Sequence, residues 1–131
     1  MRFGAGAGWH SLVVEPEDFL DGHGIATAVY EQVRRCLRDL GPFETRVSKS
    51  QIAFRRHRGF AYLWLPGQYL RDPQAEVVLS IALDRHDPSS RFKEVAHPAP
   101  TRWMHHLELD GPDQVDTQVV EWLREAADQA T

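Results

Sequence analysis

The feature that most constrains this chain is an order of periodicities: a helical apolar stripe, a long stretch of two-residue alternation, then a second helical stripe. From Ile25 the apolar positions Ile25, Val29, Val33, Cys36, Leu37 and Leu40 run down one side of a helix, and Gly41-Pro42 ends it. The other side carries Glu31, Arg34, Arg35 and Arg38, so the stripe must pack on something flat. Near the other terminus, Val115, Val119, Trp122, Leu123 and Ala126 draw the second stripe, and Gly111-Pro112-Asp113 is expected to open that helix. No β-α-β alternation lies between them. The order predicts an α+β fold, an antiparallel sheet of four to six strands with an N-terminal and a C-terminal helix on one face.

The strands are read from period two. Residues 43–47 and 52–54 alternate, and segments 51–56 and 60–65 form a hairpin across His57-Arg58-Gly59, where glycine is expected to supply a positive backbone angle. Phe60, Tyr62 and Trp64 share one face of the second arm and Ala61, Leu63 and Leu65 the other, which marks a central strand. Residues 67–75 read as a polar connection. Val77 to Leu83 is a buried strand, 84–91 a loop, and Phe92 to Val95 a short edge segment. The last strand puts Trp103, His105, Leu107 and Leu109 on one face and Met104, His106 and Glu108 on the other. Upstream, Glu15-Pro16-Glu17-Asp18-Phe19-Leu20 predicts a short turn of helix, and the glycine-dense residues 1–14 a flexible arm.

One hundred and thirty-one residues, 42% of them hydrophobic, suffice for one core, so residues 15–131 are expected to form a single domain needing no metal or disulfide. The lone cysteine cannot form an intramolecular bridge and fits a cytoplasmic setting; Cys36 sits on the helix stripe as a small hydrophobe. No stretch is apolar enough for a membrane span. A net charge of −4 excludes a protein that coats nucleic acid indiscriminately. That average conceals polarity. Residues 34–58 carry eight basic groups against Asp39 and Glu44, whereas residues 108–131 carry seven acids against Arg124.

Several short motifs occur in a recognisable order: Lys49-Ser50-Gln51-Ile52-Ala53-Phe54, Ser90-Arg91-Phe92-Lys93, Trp103-Met104-His105-His106-Leu107, and Val120-Glu121-Trp122-Leu123-Arg124-Glu125-Ala126. In these the chain resembles, from about Glu15 to Ala130, a bacterial domain-of-unknown-function family of small α+β domains sometimes labelled transport-protein-like. Many relatives carry a zinc-ribbon-like segment ahead of this core. Here the corresponding stretch is the glycine arm with Trp9-His10 and no cysteine, so the metal site does not carry over. The resemblance implies the fold order and supplies no catalytic residue and no cofactor.

The candidate ligand-binding residues are Lys49, Arg55, Arg56, Arg58 and His106. The arginines crowd the hairpin tip beside Phe54, Phe60, Tyr62 and Trp64, an arrangement suited to a phosphate or to stacked bases. The opposing reading pairs those arginines with the acidic terminal helix. Lys49 stands where two strands meet and can hold an anion. His105 and His106 point to opposite faces and cannot chelate one ion together; His105 reads as a buried, hydrogen-bonded core histidine, and His106 as a pocket residue reaching toward Lys49. The resulting expectation is a cytoplasmic α+β domain that binds an anionic small molecule or a protein partner without catalysis. Two alternatives stay open: nucleic-acid binding through the basic hairpin 46–58, and an enzyme using Lys49 and His106. A homodimer also stays open, with the acidic helix docked on the basic face of a second copy.

Overall fold

The computed structural model describes residues 15–68 and 73–131; the arm expected over 1–14 and part of the polar connection lie outside the described residues. A short helix α1 (Pro16–Phe19) leads into α2 (Gly24–Leu40). Six strands follow, β1 (Glu44–Val47), β2 (Ile52–Arg55), β3 (Gly59–Trp64), β4 (Val77–Leu83), β5 (Glu94–Ala99) and β6 (Arg102–Leu109), and then α3 (Thr117–Gln129). They form one antiparallel sheet in the order β1-β2-β3-β4-β6-β5. This is the α+β arrangement the periodicities require.

Strand parity divides the sheet into two faces. Ile52, Leu63, Leu79 and Leu107 are paired across four strands in a single row, and all are buried. With Phe54, Ala61, Ile81 and Leu109 they meet Val29, Val33 and Leu37 of α2 and Val119, Leu123 and Ala126 of α3. Each such aliphatic or aromatic side chain removed from water contributes about 1.5–3 kcal/mol, so both helices are held to this face by their stripes. Among the described residues the other face has no helix on it. Its rows start from Ala53, Tyr62, Ser80 and His106, which the register also aligns, ending on Glu94 of β5.

Two local expectations need correction. Gly59 has no positive backbone angle; only Gly22 and Gly41 do among the described residues. Glycine is required at 59 for space, because a Cβ there would collide with the Tyr62 hydroxyl. Gly59→Ala is therefore expected to destabilise by about 2 kcal/mol, visible as a lower urea midpoint, since the Tyr62 ring must leave its place. The terminal helix also starts later than Pro112. Residues Pro112–Gln114 make a separate 3-10 turn, and Asp116 is the true cap, its carboxylate accepting from Val119 N at 3.1 Å. Burial alone would raise the Asp116 pKa, but the Arg91 guanidinium at 3.0 Å and the helix N–H hold it below the ordinary value.

Candidate functional site on the open sheet face

Among the described residues this face carries no helix, and a hollow opens on it where a small residue stands among large ones. Ser80 presents little side chain, while Tyr62, Trp64, Met104 and His106 stand around it on neighbouring strands. The turn between β1 and β2 adds a rim. Ser48 Oγ accepts from the backbone N–H of both Ser50 and Gln51 at 3.2 Å, which folds that turn tightly. A hollow of about 430 Å³ results, lined by Ser50, Gln51, Tyr62, Trp64, Ser80, Arg102, Met104 and His106. That volume lies in the range of small-molecule sites, roughly 300–1,000 Å³.

Its polar groups are tied to one another. Trp64 Nε1 donates to Ser80 Oγ at 2.8 Å, and Ser80 Oγ lies 2.6 Å from His106 Nδ1. Ser80 is only 2% exposed and has no third hydrogen-bond partner among the described residues, so its own proton must go to Nδ1. His106 is then neutral with its proton on Nε2. Burial pushes its pKa down, with the Glu94 carboxylate opposing, which agrees with a neutral ring at pH 7. The Trp64 and His106 rings meet edge to face, 6.0 Å apart. On the opposite wall Arg102 Nη2 donates to the Tyr62 hydroxyl at 2.7 Å and to Gly59 O at 3.3 Å. Its Nε and Nη1 make no hydrogen bond among the described residues. The hollow thus offers hydrogen-bond donors over aromatic walls.

The residues singled out from sequence fall in three places. His106 lines the hollow. Lys49 is exposed in the β1–β2 turn; its neighbours Ser50 and Gln51 reach the hollow, and its carbonyl accepts from Gln68 Nε2 at 3.3 Å. Arg55 lies near the β1 edge, 3.7 Å from the Glu44 carboxylate, and does not line the hollow. Arg56 and Arg58 turn the other way, toward the helix ends. Arg56 donates to Leu40 O and Pro42 O at 3.0 Å and to Ala127 O at 3.3 Å, and Arg58 to Gln129 O at 3.2 Å. Arginine next to helix C-termini answers the negative end of the dipole.

His105 is fully buried on the helix face. Its Nε2 accepts from Asp87 N at 3.0 Å, which puts its proton on Nδ1, facing Ile81 O and Trp103 O. Cys36 is half-buried, and burial pushes its thiol pKa up, which disfavours a thiolate.

Sequence reasoning missed Trp64, Ser80, Arg102, Tyr62 and Met104 as members of one site. One signal was available. Ser80 is the single polar residue in the otherwise apolar run Val77–Leu83, and a buried hydroxyl demands partners. Residues 17–130 match a family described as Domain of unknown function (DUF5655). No curated protein and no solved structure matches the chain.

Proposed function

The chain belongs to the DUF5655 family, and from the site alone we propose that it binds a small organic anion in the hollow of the open sheet face. The observation that carries this reading is that the His106 imidazole and the Arg102 guanidinium line one hollow together with Tyr62, Trp64 and Met104. A carboxylate or phosphate oxygen suits donors of this kind, and Trp64, Tyr62 and Met104 suit the organic remainder. Lys49, next to the rim residues Ser50 and Gln51, raises the local anion concentration without having to touch the ligand, and Arg55 stands farther off, paired with Glu44. The lone cysteine and its half-buried thiol support a reducing, cytoplasmic setting. Among the described residues no helix is long and apolar enough to cross a membrane. The hairpin offers less to nucleic acid than its composition suggests, because Arg56 and Arg58 spend donors on helix carbonyls.

A heteronuclear NMR titration with benzoate tests the reading. Saturable shifts are expected at Gln51, Tyr62, the Trp64 indole N–H, Arg102 and Met104, and Arg102→Ala is expected to weaken binding about tenfold. Shifts confined to Arg55–Arg58, or none that saturate, would overturn it.

A further inference from the structure

We propose that Ser80 and Trp64 set the chemical selectivity of this hollow, locking His106 as a donor so that the site takes a planar aromatic carboxylate and refuses the matching amidine. The inference rests on the anion-binding reading and adds to it the ligand class and the residues that choose it.

The protons at Ser80 fix the state of the imidazole. A hydroxyl has one proton and two lone pairs. The indole Nε1 of Trp64 has only a proton to give, so one lone pair of Ser80 Oγ is committed at 2.8 Å. The hydroxyl proton is left with His106 Nδ1 at 2.6 Å as its acceptor. The alternative, Nδ1–H donating to Ser80, would orphan the hydroxyl proton in a residue 2% exposed, at the cost of an unsatisfied buried donor. Neutral imidazole carries one proton, so it resides on Nε2, on the far side of the ring from Ser80. There Nε2 makes no hydrogen bond among the described residues. Protonation would leave the Nε2–H in place. In every allowed state His106 therefore presents a donor.

Arg102 has only donors as well, and its Nε and Nη1 stay uncommitted. A ligand meeting both residues must bring acceptors. Tyr62, Trp64 and Met104 supply flat, polarisable walls, which favour an aromatic ring beside that acceptor group. Benzoate, benzamide and benzamidine share one shape and differ in what they present: two acceptors, one of each kind, and donors only. Without the lock, His106 can place its proton on either nitrogen and offer Nε2 as an acceptor.

The test measures dissociation constants for these three probes by NMR titration, together with imidazole nitrogen shifts that report the His106 tautomer in the free protein. Expected are an Nε2–H tautomer and the order benzoate, benzamide, benzamidine, with benzoate at least tenfold tighter than benzamide. Ser80→Ala is expected to abolish the single tautomer and narrow the benzoate preference several-fold. Trp64→Phe keeps the Ser80 hydroxyl but removes the donor that orients it, and is expected to act in the same direction should Ser80→Ala fold poorly. An Nδ1–H tautomer, or unchanged selectivity in both variants while benzoate still binds, overturns the selectivity claim and leaves anion binding intact. No binding of benzoate at all removes the anion reading and this inference with it.

Discussion

Arg56→Ala is expected to lower the unfolding free energy by about 3 kcal/mol, a fall of roughly 10 °C in Tm, although Arg56 touches neither the hollow nor the centre of the core. Its side chain is 15% exposed and lies between the ends of two helices. Nη2 takes the carbonyl of Leu40 at the end of α2, Nε takes Pro42 O, and Nη1 reaches Ala127 O and Thr131 Oγ1 near the end of α3. Each helix leaves its last carbonyls without intrahelical partners, and here one guanidinium serves both. Alanine would leave the part-buried Leu40 O without its donor, at about 1–3 kcal/mol for a group left wholly unsatisfied, and would loosen the link to Pro42 O and to Ala127 O, which keeps Ala130 N and Thr131 Oγ1. Partial rehydration keeps the total below the sum. Arg56→Lys should recover little, because one ammonium cannot span acceptors arranged around a planar fork. Gly41 belongs to the same device: its φ of 124° suits glycine, and a Cβ would stand 3.0 Å from Arg56 Nη2. Urea denaturation with an unchanged slope and a lower midpoint checks the prediction. A shift below about 0.5 kcal/mol, the usual range of an exposed residue, would refute the clamp.

This clamp shows where reading the sequence succeeds and where it stops. The stripe from Val29 to Leu40, its stop at Gly41-Pro42, and the parity of the strand ending at Leu109 were legible because period determines which side of an element is dry; Ile25, read as the first residue of that stripe, is instead exposed. The arginines at 55, 56 and 58 were legible as charge and illegible as geometry. Arg56 and Arg58 meet the ends of both helices, and no local pattern announces that carbonyls so distant in the chain will lie beside them. The hollow was half legible for a related reason. His106 could be assigned to a face, but its partners Ser80 and Trp64 lie 26 and 16 positions away from His106 and Ser80 respectively. Which strands are neighbours is a property of the sheet order, in which β6 inserts between β4 and β5. Asp116 was missed as a cap because Pro112 gave a stronger start signal, and that proline heads a turn of its own.

Acid is expected to weaken the fold in two stages, the first below about pH 6.5, well above the carboxylate range. Burial holds the pKa values of both His105 and His106 below the ordinary 6.5, with hydrogen bonds from His105 to Ile81 O and Trp103 O only partly offsetting it. The unfolded chain takes up these protons near pH 6.5 while the folded chain still refuses them. Stability contributed by the neutral rings is therefore complete above pH 6.5 and lost as pH falls toward the folded values. Each histidine adds at most about 1.4 kcal/mol per pH unit to that slope. His105 should dominate, since protonating its Nε2 would turn an acceptor for Asp87 N into a donor against a donor, in a fully buried site. The second stage belongs to carboxylates. Arg85 holds Glu125 below its ordinary 4.5, and hydrogen bonds from Ser89 N, Trp122 Nε1 and Arg85 outweigh burial at Asp87, ordinarily 3.8. Their contributions are present above those values and disappear as pH falls through the lower, folded ones. Replacing His105 with glutamine keeps an amide oxygen for the Asp87 N–H but nothing that titrates. The variant should be less stable at pH 7 by about 1–2 kcal/mol and show a visibly flatter urea-midpoint profile between pH 7 and 5. A profile as steep as the parent's would show that the ring at 105 is not what the acid reaches first.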